Sequence, residues 1–222
     1  MKRKGLLMAA ALAMMSAGPA YAMSIGRSNH DFHTHFVGDT STTTGQGCWV
    51  KVDNKMTEAW SCPRNFKEQR TAWMSLVQTT AESSGNGTFE VRVQMAARTN
   101  VNAQAYGSPT AMTEVFGVFS GLYLSLRVDG MTVPGSAAMV QKMSQNRLAT
   151  SHDGLENNPG AALSWEWTVE NLPAGRHTFE VRWMTLGMVN QAVNGIGTTS
   201  MEIYPGATLR VWPVEVDQEN VQ

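Results

Sequence analysis

The sequence predicts an all-β protein, built of antiparallel sheets packed face to face in a single domain, and three observations carry that prediction. Four runs, at 89–95, 122–128, 163–169 and 178–183, alternate apolar and polar residues with the period of a half-buried strand. Gly, Pro, Asn or Asp bounds each run: Ser84-Gly-Asn-Gly87, Asp129-Gly130, Pro134-Gly135 and Asn171-Leu-Pro-Ala-Gly175 are turn sequences. Helical periodicity is scarce, and the one modest candidate is 136–148, with Ala137, Met139, Val140, Met143 and Leu148 apolar.

The chain opens with Lys2, Arg3 and Lys4, an uncharged stretch over 6–15, and small residues ending in Ala20-Tyr21-Ala22. A positive start, a short apolar run and an Ala-x-Ala cut make 1–22 read as a cleavable secretory signal, with the mature protein expected to start at or near Met23. The apolar run is much shorter than the ~20 residues that span a bilayer, and with no Cys at the cut a lipoprotein is not expected. The expected location is secreted or periplasmic. Taking 22 of 222 residues away leaves 200, and taking three of the 17 basic residues leaves 14 against 18 acidic, a net charge of −4. A mildly acidic chain with scattered Lys and Arg lacks the concentrated basic face that nucleic acid or an anionic membrane requires. No second long apolar segment follows, so no membrane span is expected.

Residues 23–47 form an N-terminal segment with a His-rich strand, Asn29-His-Asp-Phe-His-Thr-His-Phe36. On a strand, Asp31, His33 and His35 share one face while Phe32 and Phe36 share the other. His33 and His35, spaced i and i+2, suit a divalent metal such as zinc, with Asp31 or Asp39 as a further ligand. The competing reading is a solvated polar segment near a new terminus, which needs no cofactor. Thr40 to Gly47 reads as a Ser/Thr/Gly loop.

The main sandwich is expected over 48–216, with 217–222 as a tail. It begins with Cys48 and Cys62, the two cysteines of the chain. Trp49-Val-Lys-Val52 and Thr57-Glu-Ala-Trp60 flank Asp53-Asn54-Lys55-Met56 as a hairpin. If Asn54 to Met56 form the loop, Asp53 pairs with Thr57 and Cys48 falls opposite Cys62, near disulfide distance. An exported chain makes that bridge the expected chemistry, ahead of a metal or redox pair.

Polar stretches at 99–109 and 189–200 read as loops. Of the seven Trp, Trp165, Trp167 and Trp183 lie in phase with Leu163, Val169 and Val181 and are expected in the core. Trp212 is out of phase with Leu209 and Val211 and precedes Pro213, which makes it the candidate for an exposed aromatic.

Tyr123-Leu-Ser-Leu-Arg-Val-Asp-Gly130, the Val133-Pro-Gly135 turn, Leu172-Pro-Ala-Gly-Arg-His-Thr-Phe-Glu-Val-Arg-Trp183 and the closing Ala207 to Val216 strand together resemble the C-terminal half of jelly-roll sandwiches. The resemblance is to the tumour-necrosis-factor-like superfamily and to similar bacterial and phage surface domains, and it covers about 111–216. It implies an antiparallel jelly roll, in such families frequently a homotrimer, that binds partners such as a protein or glycan surface and catalyses nothing.

A second comparison is with cupins, metal-binding jelly-roll enzymes, whose His-x-His is similar to His33-Thr-His35 and whose Pro-x-Gly-x-x-His is similar to Pro173-Ala-Gly-Arg-His177. That comparison implies a metal held by His33, His35 and His177. Against it stand Asp39 in place of Glu, a second motif one residue short, and 142 positions between His35 and His177. Asp153, Glu156, Asn157 and Asn158 form a Gly-bounded stretch with oxygen ligands suited to calcium. No nucleophile elbow, phosphate loop or paired-cysteine metal motif occurs. The function expected is therefore a secreted or periplasmic binding or structural module, with the cupin-like metal protein as the alternative.

Overall fold

A computed structural model of the chain describes residues 23–39, 49–52, 55–58, 68–85, 87–105, 115–148, 155–157, 160–189 and 195–214. Every regular element among them is a β-strand. In chain order these are β1 (Ser24–Ser28), β2 (Phe32–Asp39), β3 (Trp49–Val52), β4 (Lys55–Glu58), β5 (Glu68–Arg70), β6 (Met74–Ser83), β7 (Gly87–Ala105) and β8 (Val115–Val128). They continue as β9 (Met131–Thr132), β10 (Ala138–Leu148), β11 (Leu155–Asn157), β12 (Ala161–Leu172), β13 (Gly175–Val189), β14 (Gly195–Ile203) and β15 (Ala207–Val214).

The architecture is an antiparallel jelly-roll sandwich. Eight of the strands pair as a folded ribbon does, first with last and inward: β1 with β15, β6 with β13, β7 with β12, and β8 with β10. Rolling that ribbon brings β15 against β7 and β13 against β8, which closes the two sheets. The larger sheet then reads β1-β15-β7 with β12 on the far edge of β7, and the smaller reads β6-β13-β8-β10. Two Greek keys of eight strands define this fold. The remaining strands extend it. β14 pairs along β7 beyond β15, and β2, β3 and β4 follow outward from β14. The segment expected to precede the sandwich is thus part of it, since β1 and β2 are rungs of the larger sheet.

Alternation places the core as expected. Phe89, Val91, Val93 and Met95 from β7 meet Leu122, Leu124 and Leu126 from β8 and Phe179, Val181 and Trp183 from β13, all buried. The Trp183 ring lies 5.1 Å from Phe32 and the Phe89 ring 5.6 Å from Phe179, between centroids. Offset, tilted aromatic pairs of this kind add to the area they bury.

Several expectations are corrected. Residues 136–148 are not a helix: Ala138–Leu148 is a strand on β8, with a register shift between Met139 and Gln141. Met139 faces outward opposite Tyr123, and Gln141 faces inward opposite Leu122, so the extra residue breaks the period of two that would have shown a strand. The polar stretches at 99–109 and 189–200 contain paired strands, for β7 runs to Ala105 against β14. Thr99 and Val101 are buried there while Asn100 and Asn102 are half-buried on the other face. Trp165, although in phase with the core, sits on an edge strand with its side chain 37% exposed. Trp167 is half-buried and donates its Nε1–H to the Ser136 carbonyl at 2.8 Å.

Candidate functional site

β5 and β6 both pair with β13, and between them the chain leaves the ladder. Arg70 pairs with Leu186 and Met74 with Trp183, so three residues, Thr71, Ala72 and Trp73, stand opposite two, Met184 and Thr185. Thr71 is pinned from both sides: its N–H donates to the Thr185 carbonyl at 3.0 Å, and its Oγ1 accepts from the Thr185 N–H at 3.0 Å. The unpaired carbonyl of Trp73 accepts from Arg182 Nη2 at 2.7 Å. Bulges re-aim side chains in this way next to functional sites.

The bulge opens a cleft of about 540 Å³ lined by Arg70, Thr71, Ala72, Trp73, Arg182 and Met184. Among the described residues neither guanidinium pairs with a carboxylate. Glu180, two residues from Arg182, is taken by Arg127 at 3.1 Å. Burial, and then the neighbouring Arg127 charge, lower the pKa of Arg182, with Glu180 opposing them. An arginine stays charged through such a shift, so the cleft holds positive charge that no carboxylate among the described residues pairs with. Beside it, on the outer face of the smaller sheet, Met139, Tyr123 and Met184 form one cross-strand row, with Leu186 opposite Gly121 in the next. Tyr123, Met184 and Leu186 are half-buried, and Met139 is 40% exposed.

A second polar cluster lies at one end of the sandwich, where the β8–β9 and β12–β13 turns meet. His177 is buried, with Nδ1 2.6 Å from Asp129 Oδ2 and Nε2 2.9 Å from the Pro173 carbonyl. Asp129 Oδ1 also accepts from the Thr178 N–H at 2.8 Å. Both ring nitrogens face acceptors, so the ring fits best as an imidazolium. The hydrogen bond to Asp129, then that to Pro173, raises the His177 pKa against the effect of burial. The same bond, then the Thr178 N–H, lowers that of Asp129.

The structure does not assemble the cupin-like set. Thr34, between His33 and His35, accepts at its Oγ1 from the Thr185 hydroxyl at 3.2 Å. His177 is eight positions from Thr185 along the same strand, which is about 26 Å at the rise of an extended chain. Its two nitrogens are already engaged. His33 pairs across the sheet with Glu202 and Lys51, and His35 with Ser200 and Trp49. Asp31 precedes β2 and Asp39 ends it. Among the described residues no three His, Cys, Asp or Glu side chains gather as a metal site would require.

Of the residues suited to calcium, Glu156 and Asn157 are adjacent positions of β11, paired with Val101 and Asn100 of β7. Asp153 and Asn158 lie outside the described residues. Cys48 and Cys62 lie outside them too, and the register argument for joining them fails. β3 and β4 pair Trp49 with Glu58 and Val52 with Lys55, three positions from the expected register. Trp212 is half-buried on the outer face of the larger sheet, with the Arg92 guanidinium 5.4 Å from its ring centroid. Arg92 also contacts Glu166 on β12.

No local pattern in the sequence announces the cleft: Arg182 is one polar-face residue among others of its run, and Arg70-Thr-Ala-Trp73 has no alternation. The bulge exists through pairing with residues 109 to 114 positions away.

No protein-family model and no curated protein matches the chain. Among solved structures it is similar to a bacterial lipoprotein from Bacteroides thetaiotaomicron, at 8% identity over 90% of this chain and 91% of that one, TM-score 0.30. It is similar also to the Cowpea Mosaic Virus empty virus-like particle, at 9% identity over 91% and 89%, TM-score 0.22. A third is the infectious bursal disease virus Gt strain, at 11% identity over 86% and 64%, TM-score 0.15. Scores this low carry no argument. The strand pairing defines the class, a β-sandwich module of jelly-roll type, and among the described residues no helix is long and apolar enough to cross a membrane.

Proposed function

We propose that this chain works outside the cytoplasm as a non-enzymatic binding module of a bacterial envelope or extracellular assembly. The observation that carries the reading is the bulge cleft, where Arg70 and Arg182 stand beside Trp73 and Met184 without a carboxylate partner among the described residues. Concave sites with an apolar lining and a few convergent polar groups are where ligands bind. Its residues suit recognition: guanidinium, indole and thioether side chains supply charge, donors and contact area, with neither a nucleophile–base pair nor a metal ligand set among them. Expression of the full chain in a bacterial host, osmotic-shock fractionation and intact mass measurement test the location. A processed chain beginning at Met23 in the extracytoplasmic fraction is expected; an uncut chain confined to the cytosol contradicts the reading.

A second reading, a subunit of a homo-oligomeric assembly, is favoured by the Met139–Tyr123–Met184 row on the outer face of the smaller sheet. Apolar rows on an outer sheet face suit contact with another chain. Sedimentation of the mature protein at several concentrations separates the two, since a monomer at every concentration removes the assembly.

A further inference from the structure

We propose that the bulge cleft binds a single carboxylate carried on a flat, apolar frame, as in an aromatic acid. This deepens the binding reading above and rests on it. The cleft is polar on one side and apolar on the other: Arg70 and Arg182 supply the cations, and Ala72, Trp73 and Met184 supply the apolar wall. A planar guanidinium fork matches a carboxylate with two parallel hydrogen bonds.

Arg182 is well placed for that role. Its bond to the Trp73 carbonyl fixes the side chain through one Nη2 proton and ties its position to that of the indole-bearing residue. Its remaining donors have no carboxylate partner among the described residues, and burial together with Arg127 disfavours its charge. An anion entering the cleft relieves both. Arg70, exposed at the end of β5, adds a second cation from the opposite side of the bulge.

A phosphate fits less well. Its several oxygens call for donors on all sides, whereas the wall formed by Ala72, Trp73 and Met184 offers apolar surface and no donor beyond the indole N–H. Apolar ring area against Trp73 and sulfur against an aromatic edge at Met184 instead favour a flat frame. A volume of about 540 Å³ lies within the range of small-molecule sites.

Calorimetry on the mature chain with three probes tests this: indole-3-acetate, indole, and inorganic phosphate. Indole-3-acetate is expected to bind at least about tenfold more tightly than either of the others. Arg70→Gln, a change at an exposed position expected to leave the circular dichroism spectrum unaltered, is expected to weaken indole-3-acetate binding roughly fivefold and indole binding little. The methyl resonance of Met184 is expected to shift on titration with the acid. The proposal is overturned if the acid does not bind, if phosphate binds as tightly, or if Arg70→Gln leaves the acid's affinity unchanged. Loss of this result together with retained, Arg70-dependent binding to envelope material would remove the ligand class and leave the binding reading standing.

Discussion

Replacing Asp129 by Asn removes a charge from the His177 clasp while keeping a residue that tolerates the local backbone. Asp129 has φ +50°, in the left-handed region where Asn is accommodated, so the variant isolates electrostatics from strain. A hydrogen bond to a charged partner is worth about 1.5–3 kcal/mol. The Asp129 side chain is 47% exposed, and solvent screening takes the cost to the lower end, about 1.5 kcal/mol. With a urea slope of about 2 kcal/mol per molar, the unfolding midpoint near pH 5.5 falls by about 0.7 M. The pH dependence is the sharper signature. His177 has a raised folded pKa, so its contribution is complete below the ordinary 6.5 and is lost as pH rises through the raised value. Asp129 has a lowered one, so its contribution is complete above the ordinary 3.8 and is lost as pH falls through the lowered value. The wild type therefore exceeds Asp129→Asn most between about pH 4 and 6.5. The gap narrows by more than half at about pH 9. A gap of equal size near pH 5.5 and pH 9 would refute the imidazolium clasp.

Other outcomes follow from the packing. A Cβ at Gly26 would stand 2.2 Å from the Gln78 carbonyl oxygen, so Gly26→Ala has to push β1 away from β6. Overpacking against backbone makes a loss of about 3 kcal/mol in urea unfolding the expected result. Trp183→Ala empties the centre of the core where the ring meets Phe32, and is expected to cost about 3–5 kcal/mol in the same assay. Metal analysis of the mature protein, with and without His33→Ala plus His35→Ala, is expected to show no stoichiometric zinc in either. Zinc present in the parent and lost in the double variant would restore a metal function at β2.

The sheets were legible because each strand that carries the core repeats one physical rule along its length. Phe89 to Met95 and Phe179 to Trp183 announce their inner faces locally, and burial follows. β10 was hidden because its bulge near Val140 breaks that rule within a few residues, leaving Met139, Val140 and Met143 at a spacing that mimics a helix. The extensions of β7 and β14 were hidden because Thr99, Asn100, Thr198 and Thr199 build a sheet mainly through backbone pairing and small polar side chains. Trp165 shows the converse: phase gives the face of a sheet, but exposure depends on whether the strand stands at its edge. The cleft was illegible for a stronger reason. Arg70 and Arg182 line one cleft because β5 and β6 both return to β13, and no local pattern encodes that return. The spacing of His177 from Pro173 resembles a metal motif, and the same spacing lets Nε2 reach the Pro173 carbonyl and hold the turn.

Retention of the purified mature chain on isolated bacterial envelopes, quantified beside Arg70→Glu, tests the binding account most directly. Saturable retention of the parent, reduced about tenfold in the variant with its unfolding midpoint unchanged, is the expected result. No retention, or equal retention of both proteins, would contradict a binding module that works through the Arg70–Trp73–Arg182 cleft.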